Sequence, residues 1–486
     1  MNSKKKNIVI ALMVAMFLGA VEGTVVTTAM PTIVRELHGF SKISLVFSVY
    51  LLTAAITTPI YGKLADLYGR RNILCIGIII FLIGSALCGT SMNIYMLIVF
   101  RGIQGMGAGS IFTVSFTIVG DVFPIEERAK VQGWISSVWG IASLVGPFIG
   151  GLLIDYLSWH WIFYVNIPFG ILSVILLQKN MAETIKKEEH SVDYKGIIVL
   201  SAAIVIFLLA VLGIGTSGTI LSFKTTVPVL CTIILLIVFY LIETKAPEPL
   251  IPFEIFNLKV NVINLISFLI CAILVGTDVY LPIYIQNILG FNATISGLSL
   301  ASMSISWLMS SFILSKLLPK YGEKIIIFAS ALIIFMSSIC LYTLNTESSL
   351  IFLIGYAFIM GFGYGGILTT MTIVIQESVD AKNRGAAMAS NSLLRTIGQT
   401  IGVSIFGVVF NLGITKYLSM KSINNVNPDN LYGTTAAIKS LISSANVKAS
   451  LNYGFHSIIL IFIGISILCC VFSAVISNSL KKNKAS

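Results

Sequence analysis

The chain has 486 residues, of which 56% are hydrophobic and 10% are charged, and its net charge is +11. Soluble globular domains carry about 25% charged residues, so this composition excludes an ordinary soluble protein. The composition indicates a protein that crosses a membrane many times.

The placement of the basic residues argues against a nucleic-acid partner. If both termini are cytoplasmic, the inner loops and tails hold 22 of the 31 lysine and arginine residues and the outer loops hold seven, while Arg101 and Arg395 fall inside apolar spans. An excess of basic residues on one side is the positive-inside pattern. We therefore expect a multi-pass protein of the cytoplasmic membrane with both termini in the cytoplasm.

About 20 apolar residues are needed to cross a bilayer as a helix, and this rule predicts fourteen transmembrane helices. The predicted spans are residues 7–30, 44–61, 72–91, 94–119, 132–154, 159–178, 195–213, 226–243, 261–286, 296–316, 324–343, 350–375, 386–411 and 452–477. The first span follows three lysines as a signal peptide would, but no clear cleavage site follows it, so we expect an uncleaved helix. The segment from 412 to about 451 is expected to be the one long outer loop.

An internal repeat organises these spans. Residues 105–113 match residues 361–369 when the chain is shifted by 256 positions, and the same shift places Gly146 over Gly402. Eight predicted spans fit into that shift, and an even number makes the two halves parallel repeats. We predict a six-helix bundle over 1–190, an inserted two-helix hairpin over 191–250 and a second six-helix bundle over 251–486.

Two parallel halves are typical of a secondary transporter. The sequence has no Gly-x-x-x-x-Gly-Lys-Ser/Thr motif, so we expect no ATP site of that type. The seven cysteines lie in or at the ends of apolar spans and the four histidines are scattered, so we expect no disulfide, metal site, cofactor or enzyme active site. A transporter of this kind draws on an ion gradient and needs a protonatable or ion-binding group within the membrane.

Glu22 is the first candidate for that group because it lies about fifteen residues into the first span. A charged residue near the bilayer centre costs about 2.5 to 3.5 kcal/mol, so acids there are usually kept for transport or proton relay. Arg101 in the fourth span is its expected partner, and movement between an apolar site and this arginine would load and release a proton. The alternatives are a structural carboxyl at Glu22 and a helix-packing strut at Arg101.

Asp278 in the ninth span is the second intramembrane acid, and we expect it to bind a cationic substrate or a second proton if it faces a cavity. If it faces the outer mouth, it is merely hydrated. Gln104 and Asn391 complete the predicted substrate-binding set with Glu22 and Asp278. Arg395 in the thirteenth span is equally well explained as a snorkelling or helix-pairing arginine.

Two further segments carry candidates for a conformational switch. Gly146 and Pro147 stand in a glycine-rich span, where small residues let helices approach and the proline bends the helix. The repeat partner of Pro147 is Val403, so we expect this bend in the first half alone.

The other segment is the inner loop over 62–71, where we expect Asp66, Arg70 and Asp121 to form a latch that holds one access state. Gly62 and Gly69 belong to the same segment. A short basic loop is also expected from topology alone.

The chain resembles the major facilitator superfamily, specifically its fourteen-helix drug:proton antiporter branch. The resemblance is carried, in the family's order, by VEGTVVTTAMPTI, GKLADLYGRR, LIVFRGIQGMGAGS, WGIASLVGPFIGG and WHWIFYVNIPFG. It implies that Asp66 and Arg70 govern the conformational switch, that Arg101 assists proton transfer, and that Gly146 with Pro147 marks export. Glu22 stands where the branch commonly has aspartate, and Leu67 stands where the inner-loop motif often has arginine.

The sequence thus predicts an all-α polytopic membrane protein of the major facilitator fold. We expect an antiporter that exchanges protons for an amphipathic, cationic drug or toxic compound, with membrane lipid around it and a monomeric state. A second hypothesis keeps the fold and changes the cargo to a lipid, siderophore or metabolite. A third, a non-transporting sensor or scaffold, would need a soluble interaction domain, whereas the longest polar segment has only about 40 residues.

Overall fold

The computed structural model describes residues 3–123, 125–181, 193–217, 223–246, 253–379, 384–423 and 443–476. Within these ranges the secondary structure is helical and no β-strand occurs. The helices of the first half are α1 (Ser3–Glu36), α2 (Ile43–Tyr68), α3 (Arg70–Gly89), α4 (Ile94–Val122), α5 (Ile125–Tyr156), the single turn α6 (Trp161–Tyr164), α7 (Asn166–Asn180), α8 (Tyr194–Ser217) and α9 (Phe223–Glu243). Those of the second half are α10 (Leu258–Ile283), α11 (Ala293–Tyr321), α12 (Glu323–Tyr342), α13 (Leu350–Glu377), α14 (Arg384–Met420) and α15 (Ser444–Val475).

Thirteen segments in the described ranges are long and apolar enough to cross a membrane. The remaining predicted span lies in α8, of which the shorter apolar segment Lys195–Phe207 is described in full. The predicted all-α polytopic fold is therefore confirmed.

The predicted outer loop over 412–451 is wrong at both ends. The helix α14 continues to Met420 because Ile414 and Leu418, one turn apart, are buried. The helix α15 begins after Ser443, whose Oγ accepts a hydrogen bond from the Asn446 backbone N–H at 3.2 Å. Hydropathy marks where a helix is in the membrane, whereas side-chain packing and caps set where it ends.

The chain divides into two compact units, Met1–Leu250 and Ile251–Ser486. In the first unit α8 and α9 pack against each other, and α8 also contacts α2. The predicted division of this unit into a bundle over 1–190 and a hairpin over 191–250 stays a prediction.

Glycines set the closest helix contacts in both units. A Cβ atom on Gly105 of α4 would lie 2.3 Å from the Tyr50 carbonyl oxygen of α2, and one on Gly361 of α13 would lie 2.1 Å from the Met303 carbonyl oxygen of α11. In a bilayer, helices associate through close van der Waals packing because lipid tails are as apolar as the side chains. The repeat seen in the sequence therefore corresponds to the same backbone contact in each unit.

The helices α1 and α5 of the first unit pack as α10 and α14 do in the second. Gly146 of α5 lies against Thr24 of α1, and its repeat partner Gly402 of α14 lies against Ala272 of α10. These two contacts fix which turns of α1 and α10 correspond.

Candidate functional site

Glu22 and Arg101 form a buried ion pair in the first unit. Each side chain is 1% exposed, and Nη1 of Arg101 on α4 donates to Oε1 of Glu22 on α1. The same Nη1 donates to Oε1 of Gln104, one turn along α4, at 2.8 Å. The structure therefore brings together three of the residues predicted from the sequence.

Asn166, which the sequence did not single out, binds the other oxygen of Glu22. Its Nδ2 donates to Glu22 Oε2 at 2.7 Å and to Ser85 Oγ at 3.0 Å, while Gln104 Nε2 donates to Ser85 Oγ at 3.2 Å. Ser85 in turn donates to the Phe163 carbonyl oxygen at 2.9 Å. The sequence did contain a signal for this residue. Asn166 is an amide side chain in the first turn of α7, within an apolar run and two residues before a proline.

Tyr50 of α2 covers the arginine from a third side. Its ring centroid lies 4.0 Å from the Arg101 Cζ atom, a distance at which a guanidinium interacts favourably with a ring face. The Tyr50 hydroxyl is buried and has no hydrogen-bond partner among the described residues. The Glu22 carboxylate is thus held by charged and neutral donors from α4 and α7, with an aromatic ring closing the site.

The buried pair balances the negative charge of Glu22 with the positive charge of Arg101. A carboxylate balances the arginine, and a neutral acid keeps a hydrogen-bonding amide at Asn166 but leaves Arg101 without a counter-charge. Breaking a buried ion pair costs about 3 to 5 kcal/mol.

Asp278 lies on α10 in the second unit and is half-buried. In the described part of the chain it has no ion-pair partner. The neighbouring Thr277 hydroxyl lies 2.9 Å from the Tyr364 hydroxyl of α13. Asp278 therefore lies next to this hydroxyl pair in the chain and has no ion-pair partner among the described residues.

Asn391 belongs to a separate polar cluster between α14 and α10. Its Nδ2 donates to Asn264 Oδ1 at 2.8 Å and to Ser267 Oγ at 3.0 Å. One turn further along α14, Arg395 Nη2 donates to the Leu368 carbonyl oxygen at 3.3 Å and to Thr372 Oγ1 at 3.1 Å. The predicted role of Arg395 in pairing helices agrees with these two bonds to α13.

Arg70 and Asp121, two of the three predicted latch residues, form an ion pair. Arg70 opens α3 directly after Gly69, whose φ of 94° is a backbone conformation that favours glycine, and Asp121 lies in the last turn of α4. The arginine also donates to the Thr117 carbonyl oxygen at 3.1 Å. The side chain of Asp66, the third latch residue, lies outside the described residues.

Gly62, Gly146 and Pro147 differ in how tightly they are packed. A Cβ on Gly62 would make an ordinary contact at 3.5 Å with Thr113, whereas a Cβ on Gly146 would lie 2.1 Å from Thr24 Oγ1. Pro147 is buried within the helix α5. Thr24 donates to the Ala142 carbonyl oxygen at 3.3 Å, so the contact between α1 and α5 includes a hydrogen bond beside the proline.

Comparisons with known proteins agree with this fold. Residues 12–403 match the model of the Major Facilitator Superfamily. The chain is 34% identical over 445 residues to the multidrug transporter protein MdtP of Bacillus subtilis (strain 168), covering 91% of this chain and 82% of that protein. It is 31% identical over 407 residues to the multidrug efflux pump SdrM of Staphylococcus aureus (strain N315), covering 83% and 89%.

The similarity in fold extends to a solved structure of low sequence identity. A bacterial homologue of the human lysosomal transporter Spinster, in an inward-facing and occupied conformation, superposes with a TM-score of 0.70 at 15% identity over 100% of both chains. Family and fold indicate a transporter rather than an enzyme. The chain belongs to the Major Facilitator Superfamily and is a multi-pass membrane transporter.

Proposed function

We propose that the protein is a proton-coupled antiporter that exports amphipathic, cationic drugs or toxic compounds by alternating access. The observation that carries this proposal is the buried carboxylate of Glu22, held by Arg101 and Asn166 within membrane-spanning helices. The relatives MdtP and SdrM are named as multidrug transporters, which supports the drug class. Protons and small molecules are then its partners, with lipid around a monomer.

Glu22 is the proposed proton site. Each elementary charge that crosses 100 mV of membrane potential releases about 2.3 kcal/mol, so one or two protons supply the energy of a concentrative step. The carboxylate that balances Arg101 becomes neutral when protonated, and the change in charge alters which conformation is favoured. Gln104 and Asn166 keep the acid oriented in both protonation states.

Asp278 is the proposed site for the cationic group of the cargo or for a second proton. Its lack of a described cation partner leaves its charge available to a ligand, and the aromatic side chain of Tyr364 lies close by. A lone carboxylate in an apolar environment binds a hydrophobic cation through charge while the aromatic surface provides broad contact. Gln104 and Asn391 supply polar contacts in the same proposal.

The inner-loop residues are the proposed conformational switch. The Arg70–Asp121 pair joins the start of α3 to the end of α4, and it breaks when these ends separate. Asp66, Gly62 and Gly69 belong to the same proposed latch. Gly146 and Pro147 are proposed to allow α1 and α5 to shift against each other during export.

The proposed location is the cytoplasmic membrane with both termini in the cytoplasm. It is supported by the excess of lysine and arginine in the loops that would then be cytoplasmic. Labelling of single cysteines introduced at residues 42 and 187 by a membrane-impermeant maleimide in intact cells tests this orientation. Labelling at 42 alone is expected, and labelling at 187 alone would invert the topology.

Ethidium efflux from vesicles with and without an imposed pH gradient tests the function. The native chain is expected to export ethidium only with the gradient, Glu22→Gln to lose this export, and Glu22→Asp to retain part of it. Glu347→Gln, the same change at an exposed loop position, is the matched control. Export that persists without a gradient, or in Glu22→Gln, would refute proton coupling at this residue.

The selective-cargo alternative makes a different prediction in the same vesicles. An exporter of one lipid, siderophore or metabolite would show little change in proton flux when several hydrophobic cations are added. A non-transporting sensor or scaffold would show no gradient-dependent flux of any compound.

A further inference from the structure

Arg395 in the second unit has no counter-charge among the residues that the structure describes. Arg395 of α14 uses Nη2 to bind the Leu368 carbonyl and the Thr372 hydroxyl of α13, but its Nε is buried without a hydrogen-bond partner. No carboxylate of the described residues lies within ion-pair distance of this guanidinium. The arginine in the first unit, by contrast, is fully paired with Glu22.

A second unsatisfied donor lies on α10, which packs against α14. Asn264 of α10 is 3% exposed, and its Oδ1 accepts from Asn391 while its own Nδ2 has no partner. Asn391 and Arg395 are four residues apart on α14, so they share a helix face about 6 Å apart along the axis. Two polar side chains on helices that pack against each other therefore each leave an N–H donor unpaired among the described residues.

The chemistry of the unpaired groups selects the ligand. Guanidinium Nε–H and amide Nδ2–H₂ are donors only, and the site carries a positive charge. A carboxylate supplies acceptors for these N–H groups and the opposite charge, while Nη2 of the guanidinium stays bound to Leu368 and Thr372. A ligand amine would meet donors and a like charge.

We infer that Arg395 and Asn264 form a binding site for a carboxylate group of the transported molecule. This inference rests on the proposed export function and deepens it. The cargo then includes zwitterions, in which a carboxylate reaches Arg395 in addition to a cationic group. Thr372 and Leu368 hold the guanidinium in place, and Asn391 orients the amide of Asn264.

Rhodamine B and its ethyl ester form a matched pair of probes, because they share the cationic ring system and differ in whether the benzoate is free. Binding of each dye to the purified full chain is measured by fluorescence anisotropy, and export is measured in vesicles with a pH gradient. Arg395→Gln is expected to weaken rhodamine B binding by about tenfold or more, as loss of a charged hydrogen bond does. Binding of the ester is expected to stay within about twofold of the native value.

Two further variants separate ligand binding from a structural role of the arginine. Asn264→Ala removes the second donor and is expected to weaken rhodamine B binding selectively. Lys416→Gln removes one charge at an exposed position of α14, the helix that carries Arg395. It is expected to leave the binding of both dyes unchanged. The carboxylate site is refuted if Arg395→Gln weakens the binding of both dyes equally or leaves the binding of both unchanged. It is also refuted if the native chain binds neither dye.

The two measurements also keep this inference distinct from the export function. If neither dye is exported but rhodamine B binding depends on Arg395, the export proposal fails while the carboxylate site stands. If both dyes are exported and Arg395→Gln leaves the binding of both unchanged, the carboxylate site is refuted while the export proposal stands.

Discussion

The two units share a pattern of backbone contacts but differ in which positions carry buried charged residues. The contacts of Gly105 in α4 recur at Gly361 in α13, yet the shift of 256 that relates them places Ala357 at the position of Arg101. The contacts of Gly146 and Gly402 relate α1 to α10 by a shift of 248, which places Ile270 at the position of Glu22. The repeat thus preserves packing, whereas the polar residues proposed for transport depart from it.

A similar difference occurs where α3 and α12 begin. Both helices follow a glycine with positive φ, 94° at Gly69 and 81° at Gly322. Arg70 then pairs with Asp121 in the first unit, whereas in the second Glu323 accepts from Lys259 Nζ at 2.7 Å. The turn is common to both units, but the sign of the first helical charge is reversed.

Of the substitutions considered, Arg101→Met is expected to destabilise the protein most. This change leaves the Glu22 carboxylate buried without its cation, at a cost of about 3 to 5 kcal/mol. Arg395→Met removes a cation that has no described carboxylate partner together with its two hydrogen bonds to α13, and it is expected to cost less than Arg101→Met. Thermal unfolding of both variants in the same detergent measures the contrast, and equal losses would contradict it.

The next comparison tests whether the two units share their packing. A methyl group at Gly105 or Gly361 would overlap a backbone oxygen, so Gly105→Ala and Gly361→Ala are both expected to lose stability toward the upper end of about 1 to 3 kcal/mol. Gly355→Ala on α13 is the control, because a Cβ there meets nothing within 4 Å. If thermal unfolding shows clearly different losses of stability for Gly105→Ala and Gly361→Ala, the repeat does not extend to this contact.

The smallest effects are expected at the two ion pairs that follow the glycines. Glu323 is fully buried, and Gln keeps an acceptor for Lys259, so Glu323→Gln is expected to cost at most about 1.5 kcal/mol. Asp121 is 49% exposed, and Asp121→Asn is expected to cost about 0.2 to 1 kcal/mol. If Asp121→Asn destabilises the protein more than Glu323→Gln in thermal unfolding, solvent exposure does not set how much these ion pairs contribute to stability.

The transport consequence of Asp121→Asn is expected to exceed its effect on stability. Loss of a latch changes the balance between access states, so the ethidium export rate should change while the unfolding temperature stays close to native. Glu347→Gln again serves as the control. An unchanged export rate would remove the Arg70–Asp121 pair from the proposed switch.

The sequence was most informative where a charged residue interrupts an apolar span. Glu22 and Arg101 stand out against their neighbours, and the cost of burying each charge alone predicts that they meet. Tyr50, Ser85 and Asn166 were missed because aromatic, hydroxyl and amide side chains are common in such helices. Only the relative rotation of α2, α3 and α7 brings them to the ion pair.

The helix ends and the second polar cluster were less accessible to sequence analysis. The extension of α14 to Met420 depends on buried side chains beyond the most apolar stretch. The hydrogen bond between Asn264 and Asn391 could not be predicted from their spacing in the sequence, since the two residues are on different helices. A helix that is apolar on all sides does not indicate which residues face its neighbours.

Proton release on substrate binding shows whether Glu22 is the proton site. Saturating ethidium is added to the purified protein in weakly buffered detergent solution with a pH-indicator dye. Release of protons by the native chain and by the exposed-loop control Glu347→Gln, with none from Glu22→Gln, is the predicted result. Undiminished release from Glu22→Gln would place the exchangeable proton elsewhere and contradict the account.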